Sequence, residues 1–206
     1  MEATELDHVI VFVAGPEAVA SLFPGFVLDR GMRHTGQGTR NRRVLFSRNY
    51  VEILWIDDAD QERRSGLGFA RRCEPDAPCP FGVVLRGTVG APDRERYVSY
   101  QVPAGGPALL LLEAALHDPS RPFVAVREES GAPRALEIPQ HPSGAVAIRR
   151  ALLRSPTVPD LGAATPGDIR FEPGPARLVL EWDGPVTDTC RSTVVDGRSG
   201  AGRTSA

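Results

Sequence analysis

The N-terminal part of the chain alternates compact apolar runs with short polar connections. Most of these runs are rich in β-branched and aromatic residues, which predicts strands, whereas the second begins with a proline in its first turn and has a helix-favouring middle. The last two strands are close enough in sequence to form a hairpin. The predicted order is strand, helix, strand, strand, strand, over residues 6–13, 15–23, 25–31, 42–47 and 50–56.

The rest of the chain predicts more strands and few helices. The run 107–116 has helix-favouring leucine and alanine, but its glycine and proline flanks also fit a buried strand. One short helix is predicted in the polar connection 57–72. The tail 191–206 is predicted to be disordered, because its last residues offer no apolar side chain larger than alanine. Further strands are predicted at 80–87, 96–102, 121–129, 144–153 and 176–184.

The composition indicates one globular domain or two small half-domains in 206 residues, since 41% of the residues are hydrophobic. A net charge of −2 gives no electrostatic reason to expect nucleic acid or an anionic membrane as partner. No stretch approaches the roughly 20 apolar residues of a membrane span, and the acidic N-terminus runs directly into a strand, so we expect no secretory signal. Three cysteines without a CxxC spacing indicate reduced thiols in a cytoplasmic protein.

Three ionisable residues lie in apolar runs where charge is costly. The stretch NYVEILWI places Glu52 inside a predicted buried strand, and a buried carboxylate needs a cation, a hydrogen-bond donor or a proton to offset its desolvation. His8 lies on the first strand, on the face that also holds Ile10 and Phe12. Glu113 interrupts a third apolar run, LLLLEAAL.

These residues have a functional and a structural interpretation. One imidazole and two carboxylates that converge on a divalent cation would neutralise the buried charges, and mixed nitrogen and oxygen ligands suit Zn²⁺, Fe²⁺, Mn²⁺, Ni²⁺ or Co²⁺. The structural alternative is that His8 is a satisfied core residue, Glu52 pairs with an arginine, and Glu113 is solvated on a helix.

A glycine-rich polar loop, residues 32–41, precedes the hairpin. Its glycines let the backbone approach a ligand, but its spacing matches neither a Walker loop nor a dinucleotide-binding fingerprint. The loop either contacts a ligand or is a polar turn held together by its own side chains. The candidate ligand contacts are His34, Gln37, Thr39, Arg40 and Asn41, with His141 from a later Pro-Ser-Gly turn.

Taken together, these motifs resemble the glyoxalase-like branch of the vicinal oxygen chelate superfamily. The resemblance is carried by LDHVIVFV, a helix, the motif H-x-G-x-G-T-x-N and YVEILWI, and the later HPSGA resembles a His-Pro-Asn-Gly-Ala turn with Ser143 in place of asparagine. It implies an α+β fold of paired βαβββ modules that form curled mixed sheets around a cleft. The first module would span residues 1–60, the second, degenerate one 61–140, and C-terminal strands in 141–190 would complete the sheet.

The resemblance also implies where a metal would be held. In metal-using members the ligands come from the first and last strands of each module. His8 and Glu52 match the ligand positions of the first module, and Glu113 matches the last-strand ligand of the second. The first strand of the second module departs from the pattern, because Phe81 stands near the expected ligand. Three protein ligands could hold a metal with open positions, or His141 could supply the fourth.

Two functions follow from this resemblance. In the first, a metal would chelate two vicinal oxygens of a small molecule, and Glu52 or Glu113 would serve as general base in a lyase, isomerase or ring-opening dioxygenase. In the second, the cleft binds a small molecule without metal chemistry, as in antibiotic-sequestering members. A third interpretation is a structural domain whose polar residues are satisfied in the core. Homodimers are common among such relatives, so a homodimer is also implied.

Overall fold

In a computed structural model, residues 4–128, 138–184, 191–196 and 202–205 are described. The strands are β1 (Glu5–Phe12), β2 (Arg33–His34), β3 (Thr39–Leu45), β4 (Tyr50–Ile56), β5 (Phe81–Arg86), β6 (Tyr97–Gln101), β7 (Ala108–Leu112), β8 (Phe123–Arg127), β9 (Ala147–Ser155), β10 (Ile169–Pro173), β11 (Arg177–Asp183), β12 (Arg191–Asp196) and β13 (Gly202–Ser205). The α-helices are α1 (Val19–Leu22), α2 (Ala59–Ser65) and α3 (Glu113–His117), and 3-10 helices cover Pro16–Ala18, Ala70–Arg72, Ala91–Arg96 and Gly162–Ala164. None of these helices is long and apolar enough to cross a membrane.

The first sheet contains eight strands in the order β2-β3-β4-β1-β5-β8-β7-β6. Read outward from the central β1–β5 pair, each half has its first strand, then its fourth, third and second strands in chain order. β1 runs parallel to β4 and β5 runs parallel to β8, while β1 and β5 are antiparallel neighbours. Two modules of equal strand order therefore meet at their first strands, and the sheet curls. This confirms the predicted α+β fold of paired modules.

Residues 25–31 do not form the strand that their sequence predicts. The Asp29 carboxylate accepts hydrogen bonds from the backbone N–H groups of Gly31 (2.9 Å) and Arg43 (2.7 Å). Gly31 has a φ of 66°, and a Cβ at this position would lie 1.8 Å from the carbonyl oxygen of Asn41. A turn built by an aspartate and a required glycine thus outweighs the strand propensity of the apolar residues around it.

The second module differs from the first in its helices. The ambiguous run 107–116 contains both predicted states, because β7 ends at Leu112 and α3 begins at Glu113. The connection from β5 to β6 contains a 3-10 helix, Ala91–Arg96, where the first module has a 3-10 turn followed by α1.

The C-terminal strands form a second sheet with the order β10-β9-β11-β12-β13, whereas the sequence predicts that they complete the first sheet. β10 lies outside the predicted strands, and β12 and β13 lie in the tail 191–206, for which the sequence predicts disorder. The backbone ladder explains the difference, because β12 pairs with β11 over six residues from Arg177↔Asp196 to Trp182↔Arg191. Such pairing leaves little trace in the apolar pattern of a short segment.

The main apolar core lies between the two sheets. Alternate residues of β1 and β4, such as Val9, Val11 and Ile53, belong to the same buried cluster as Leu153 of β9 and Leu180 of β11. The C-terminal sheet therefore covers one face of the first sheet.

The opposite face of the first sheet carries a smaller apolar cluster that includes Ile10, Phe12 and Leu54. Because side chains alternate along a strand, His8 shares a face with Ile10, and Glu52 shares a face with Leu54. The period-two pattern thus places both ionisable residues on the face that the C-terminal sheet leaves uncovered.

Arg72 is buried and joins several segments of the second module. Its guanidinium donates hydrogen bonds to the backbone carbonyls of Arg121 (2.6 Å), Ala115 (2.5 Å), Cys79 (3.3 Å) and Asp118 (3.4 Å). Arg72 is 2% exposed, so these carbonyls replace the water that the cation loses.

Two of the three cysteines are described, and both are buried free thiols. Burial raises the pKa of Cys73 to about 12 and that of Cys79 to about 11, which disfavours the thiolate that a nucleophilic cysteine needs. Cys190 lies outside the described residues.

Candidate functional site

A cleft of about 600 Å³ opens on the uncovered face of the first sheet, between the two modules. β1, β2 and β4 of the first module line one side, and β5, β7 and β8 of the second module line the other. The loop 102–107 and the loop 35–37 lie at its edge. This volume is in the range of sites that bind drug-sized ligands.

His8 and Glu52 meet at the polar end of this cleft. β1 and β4 are parallel neighbours, and Nε2 of His8 lies 3.4 Å from Oε2 of Glu52. The Tyr50 ring, two residues before Glu52 on the same face of β4, stacks on the His8 ring with centroids 4.2 Å apart. The opening strand and the fourth strand therefore bring an imidazole and a carboxylate into contact.

His8 is held between two carboxylates. Its Nδ1 lies 2.7 Å from Oδ1 of Asp7, and its Nε2 faces Glu52. Burial lowers the pKa of His8, but the hydrogen bonds to Asp7 and Glu52 outweigh burial and raise that pKa from 6.5 to about 9. Both ring nitrogens therefore carry protons at neutral pH.

The Glu52 carboxylate is ionised for the complementary reason. Burial raises its pKa, but the hydrogen bond and charge of His8, with the hydrogen bond from Asn41, lower that pKa from 4.5 to about 2. Nε2 of His34 lies further away, 3.7 Å from Oε1 of Glu52.

Asn41 fixes the position of both Glu52 and His34. Its Nδ2 donates to Oε1 of Glu52 at 2.5 Å and lies 3.3 Å from Nε2 of His34, while its Oδ1 accepts from the backbone N–H of Met32 at 2.8 Å. Because the Asn41 amide has two hydrogens to donate, the network assigns Nε2 of His34 as an acceptor. Nδ1 of His34 then donates to Oγ1 of Thr39, 2.9 Å away.

Comparison with protein families matches residues 6–165 to the family described as the glyoxalase-like domain. The chain belongs to this family. The match covers more than half of the chain and confirms the resemblance to the glyoxalase-like branch of the vicinal oxygen chelate superfamily. Comparison with curated proteins gave no match.

Several solved structures are similar to this glyoxalase-like chain at low sequence identity. A hypothetical protein from Staphylococcus aureus is 15% identical, with 74% of this chain and 70% of that chain covered and a TM-score of 0.43. A hypothetical protein from Bacillus halodurans is 11% identical, with coverage of 64% and 99% and a TM-score of 0.43. Methylmalonyl-CoA epimerase from Mycobacterium tuberculosis is 17% identical, with coverage of 61% and 88% and a TM-score of 0.41.

The structure brings some of the predicted site residues of this glyoxalase-like domain together. His8, Glu52, His34 and Gln37 line the cleft. Thr39 and Asn41 are buried behind it and hold His34 and Glu52.

Three predicted site residues lie away from the cleft. Arg40 alternates with Thr39 and Asn41 on β3 and is exposed. Glu113 is the exposed first residue of α3, which agrees with the interpretation of a solvated helix residue. His141 is buried elsewhere, where its Nδ1 accepts from the backbone N–H of Val27 (3.1 Å) and its Nε2 donates to the carbonyl of Leu45 (2.9 Å).

Several residues that line the cleft were not predicted from the sequence. Asp7 precedes His8, and Tyr50 precedes Glu52 by two residues, so adjacency and strand alternation could have indicated both. Phe69, Phe123 and Arg127 also line the cleft, but they come from the second module. The positions of Phe123 and Arg127 depend on the pairing of β8 with β5, which no local pattern specifies.

The second module offers apolar side chains where the family's other metal ligands would come from. On β5 and β8, its first and last strands, the cleft is lined by Val84 and Phe123, with Arg127 at the end of β8. In the first module Nε2 of His8 faces Glu52, and Nε2 of His34 lies 3.3 Å from Nδ2 of Asn41. Across the described ranges no three His, Cys, Asp or Glu side chains are arranged to hold a metal ion. On β5 and β8, therefore, no side chain that lines the cleft is of a usual metal-ligand type.

Proposed function

We propose that this glyoxalase-like protein binds a small oxygenated molecule in the inter-module cleft without a resident metal ion. The observation that carries the proposal is the ion pair of His8 and Glu52 at 3.4 Å, which balances the buried charge within the protein itself. The apolar wall from the second module supplies the other half of an amphipathic site, as is usual for small-molecule pockets.

The acidities of the pair favour binding over proton transfer. General acid–base catalysis is most efficient when the pKa of the catalytic group lies near the working pH. The pKa of Glu52 is lowered to about 2 and that of His8 is raised to about 9, so the carboxylate is a weak base and the imidazolium a weak acid at neutral pH. The pair is therefore suited to orienting a ligand.

The second candidate function is the metal-assisted lyase, isomerase or dioxygenase chemistry that the family resemblance implies. One contact favours it: Asp7 holds Nδ1 of His8 at 2.7 Å, which is an arrangement common behind metal-bound histidines. Zn²⁺, Fe²⁺, Mn²⁺, Ni²⁺ and Co²⁺ remain the ions to test.

A dye titration combined with metal analysis tests the proposal. Nile red is uncharged, and its fluorescence rises in apolar surroundings. We expect saturable binding that is unchanged by EDTA, with far less than one equivalent of any transition metal in the purified protein. Leu109→Trp should weaken binding because Leu109 lines the cleft and is half-buried, whereas Val146→Trp, at an exposed position outside the lining, should not.

Two results would overturn it. The first is that the wild-type protein does not bind the dye, or that Leu109→Trp binds it as strongly as the wild type does. The second is one equivalent of a transition metal whose removal by EDTA abolishes binding and whose retention depends on His8, which would establish the second candidate instead.

A further inference from the structure

We infer that the ligand of the cleft is uncharged and presents a hydroxyl group, or another hydrogen-bond donor, to Glu52 while an aromatic body packs against Phe69 and Phe123. This inference rests on the proposed function and specifies its ligand class. Three independent observations carry it: the pairing of charges, the direction of the hydrogen bonds and the character of the apolar wall.

The charged groups at the polar end, Arg127 of β8 included, interact with partners within the protein. His8 lies between Asp7 and Glu52, and Asp7 also lies 3.6 Å from Nη1 of Arg86. At the edge of the cleft, Nε of Arg33 lies 2.8 Å from Asp57 outside the lining. A charged ligand would add a charge without a dedicated partner to a partly buried site, which is costly. The site therefore favours a neutral ligand.

The hydrogen bonds next to Glu52 leave an acceptor available. Both N–H groups of His8 face carboxylates, the Nδ1–H of His34 donates to Thr39, and the amide of Asn41 faces Glu52 and His34. These donors are committed to protein partners. An ionised carboxylate accepts about four hydrogen bonds, and Glu52 has two protein donors within 3.4 Å. A ligand group that contacts Glu52 must therefore donate a hydrogen bond to it.

The opposite wall is aromatic. Phe69 and Phe123 meet edge to face with centroids 4.9 Å apart, and Phe12 lies 5.0 Å from Phe69 behind them. Edge-to-face packing of this kind extends readily to a further ring. Leu54 and Leu111 continue the wall towards the polar end. A ring system with one hydroxyl group matches both ends of the cleft.

Displacement of Nile red by three naphthalene derivatives tests this ligand class at pH 7. 2-Naphthol is neutral and can donate, 2-methoxynaphthalene is neutral and cannot donate, and 2-naphthoate is an anion of similar shape. We expect 2-naphthol to displace the dye at least about tenfold more effectively than either of the others, which is the usual effect of one hydrogen bond to a charged group. Glu52→Gln should reduce the preference for naphthol over the ether, because it removes the negative acceptor, and Glu113→Gln should keep it.

The outcomes separate the inference from the proposed function. Equal displacement by naphthol and its ether, or stronger displacement by naphthoate, in a wild-type protein that binds Nile red overturns the ligand class and leaves the binding function standing. Absence of Nile red binding to the wild-type cleft overturns both. The wild-type series decides the matter even if Glu52→Gln fails to fold.

Discussion

The side-chain amide of Asn41 donates a hydrogen bond to Oε1 of Glu52 over 2.5 Å from a position behind the cleft. Asn41 lies on β3, a strand that contributes no side chain to the cleft lining, and it is 2% exposed. The same amide faces Nε2 of His34, so one buried residue orients an acid and an imidazole at once. The polar end of the cleft therefore depends on a residue outside the cleft lining.

Replacing Asn41 should show this dependence in the stability of the protein. Asn41→Leu leaves Met32 N–H without its acceptor and removes one of the two donors to Glu52, so it should lower the free energy of unfolding by about 1–3 kcal/mol. Asn41→Asp should cost more at pH 7, because two buried carboxylates would then face each other, and part of the loss should be recovered near pH 5 as they share a proton. Urea denaturation of both variants at the two pH values measures the difference. Identical losses with identical pH dependence would contradict the contact.

The His8–Glu52 pair predicts a stability optimum in mildly acidic solution. The pKa of His8 is raised from 6.5 to about 9, so its contribution is complete below pH 6.5 and is lost as the pH rises towards 9. The pKa of Glu52 is lowered from 4.5 to about 2, so its contribution is present above pH 4.5 and is lost as the pH falls towards 2. We expect the midpoint of urea unfolding to be highest between these limits. In His8→Gln the decline between pH 6.5 and 9 should be much shallower, and an unchanged alkaline slope would refute the assignment.

Arg72 should matter for folding and not for ligand binding. Arg72→Met keeps an apolar stem of similar length but removes a guanidinium that donates to four backbone carbonyls, of which Asp118 keeps a second donor in the N–H of Arg121. We therefore expect a loss of about 2–4 kcal/mol in the free energy of unfolding. The neighbouring Arg71 is exposed, and Arg71→Met should change stability by less than about 0.5 kcal/mol. Equilibrium denaturation of the two variants compares them directly, and equal stabilities would show that the carbonyl contacts contribute nothing.

His141 should behave as a structural residue. The ring packs with Phe26 and Phe46, so His141→Phe should preserve the packing and remove the hydrogen bonds to Val27 and Leu45. The free energy of unfolding should fall by about 1–3 kcal/mol while the affinity for Nile red stays within about twofold. The sequence predicts a ligand contact for this residue, and a selective loss of dye affinity at unchanged stability would support that prediction.

The sequence predicts the parts of the fold that follow from local periodicity. The alternation along β1 and β4 identifies His8 and Glu52 as polar residues on a largely apolar face, and the structure brings them within 3.4 Å. The main difference is that residues 25–31 form a turn where the sequence predicts a strand. Asp29 accepts hydrogen bonds from the backbone N–H groups of Gly31 and Arg43, and these contacts outweigh the local strand propensity.

The second half of the site required pairing information that the sequence does not display. Glu113 is the acid nearest to an apolar run in the second module, but β7 ends one residue earlier, and α3 exposes it. The strand of the second module that corresponds to β4 is β8, and β8 contains no Asp or Glu. The sequence predicts a ligand contact for His141 because its turn is polar, but both of its ring nitrogens form hydrogen bonds to backbone groups.

The second sheet changes what counts as the smallest foldable unit of this protein. The family match ends at residue 165, after β9 and before β10. A fragment cut there would lose the parallel partner β10 and the antiparallel partner β11, so both edges of β9 would be left unpaired. Open strand edges and uncovered apolar surface favour self-association. Recombinant production of the family region alone should therefore yield aggregates, because the strands beyond its boundary cover one face of the glyoxalase-like sheet.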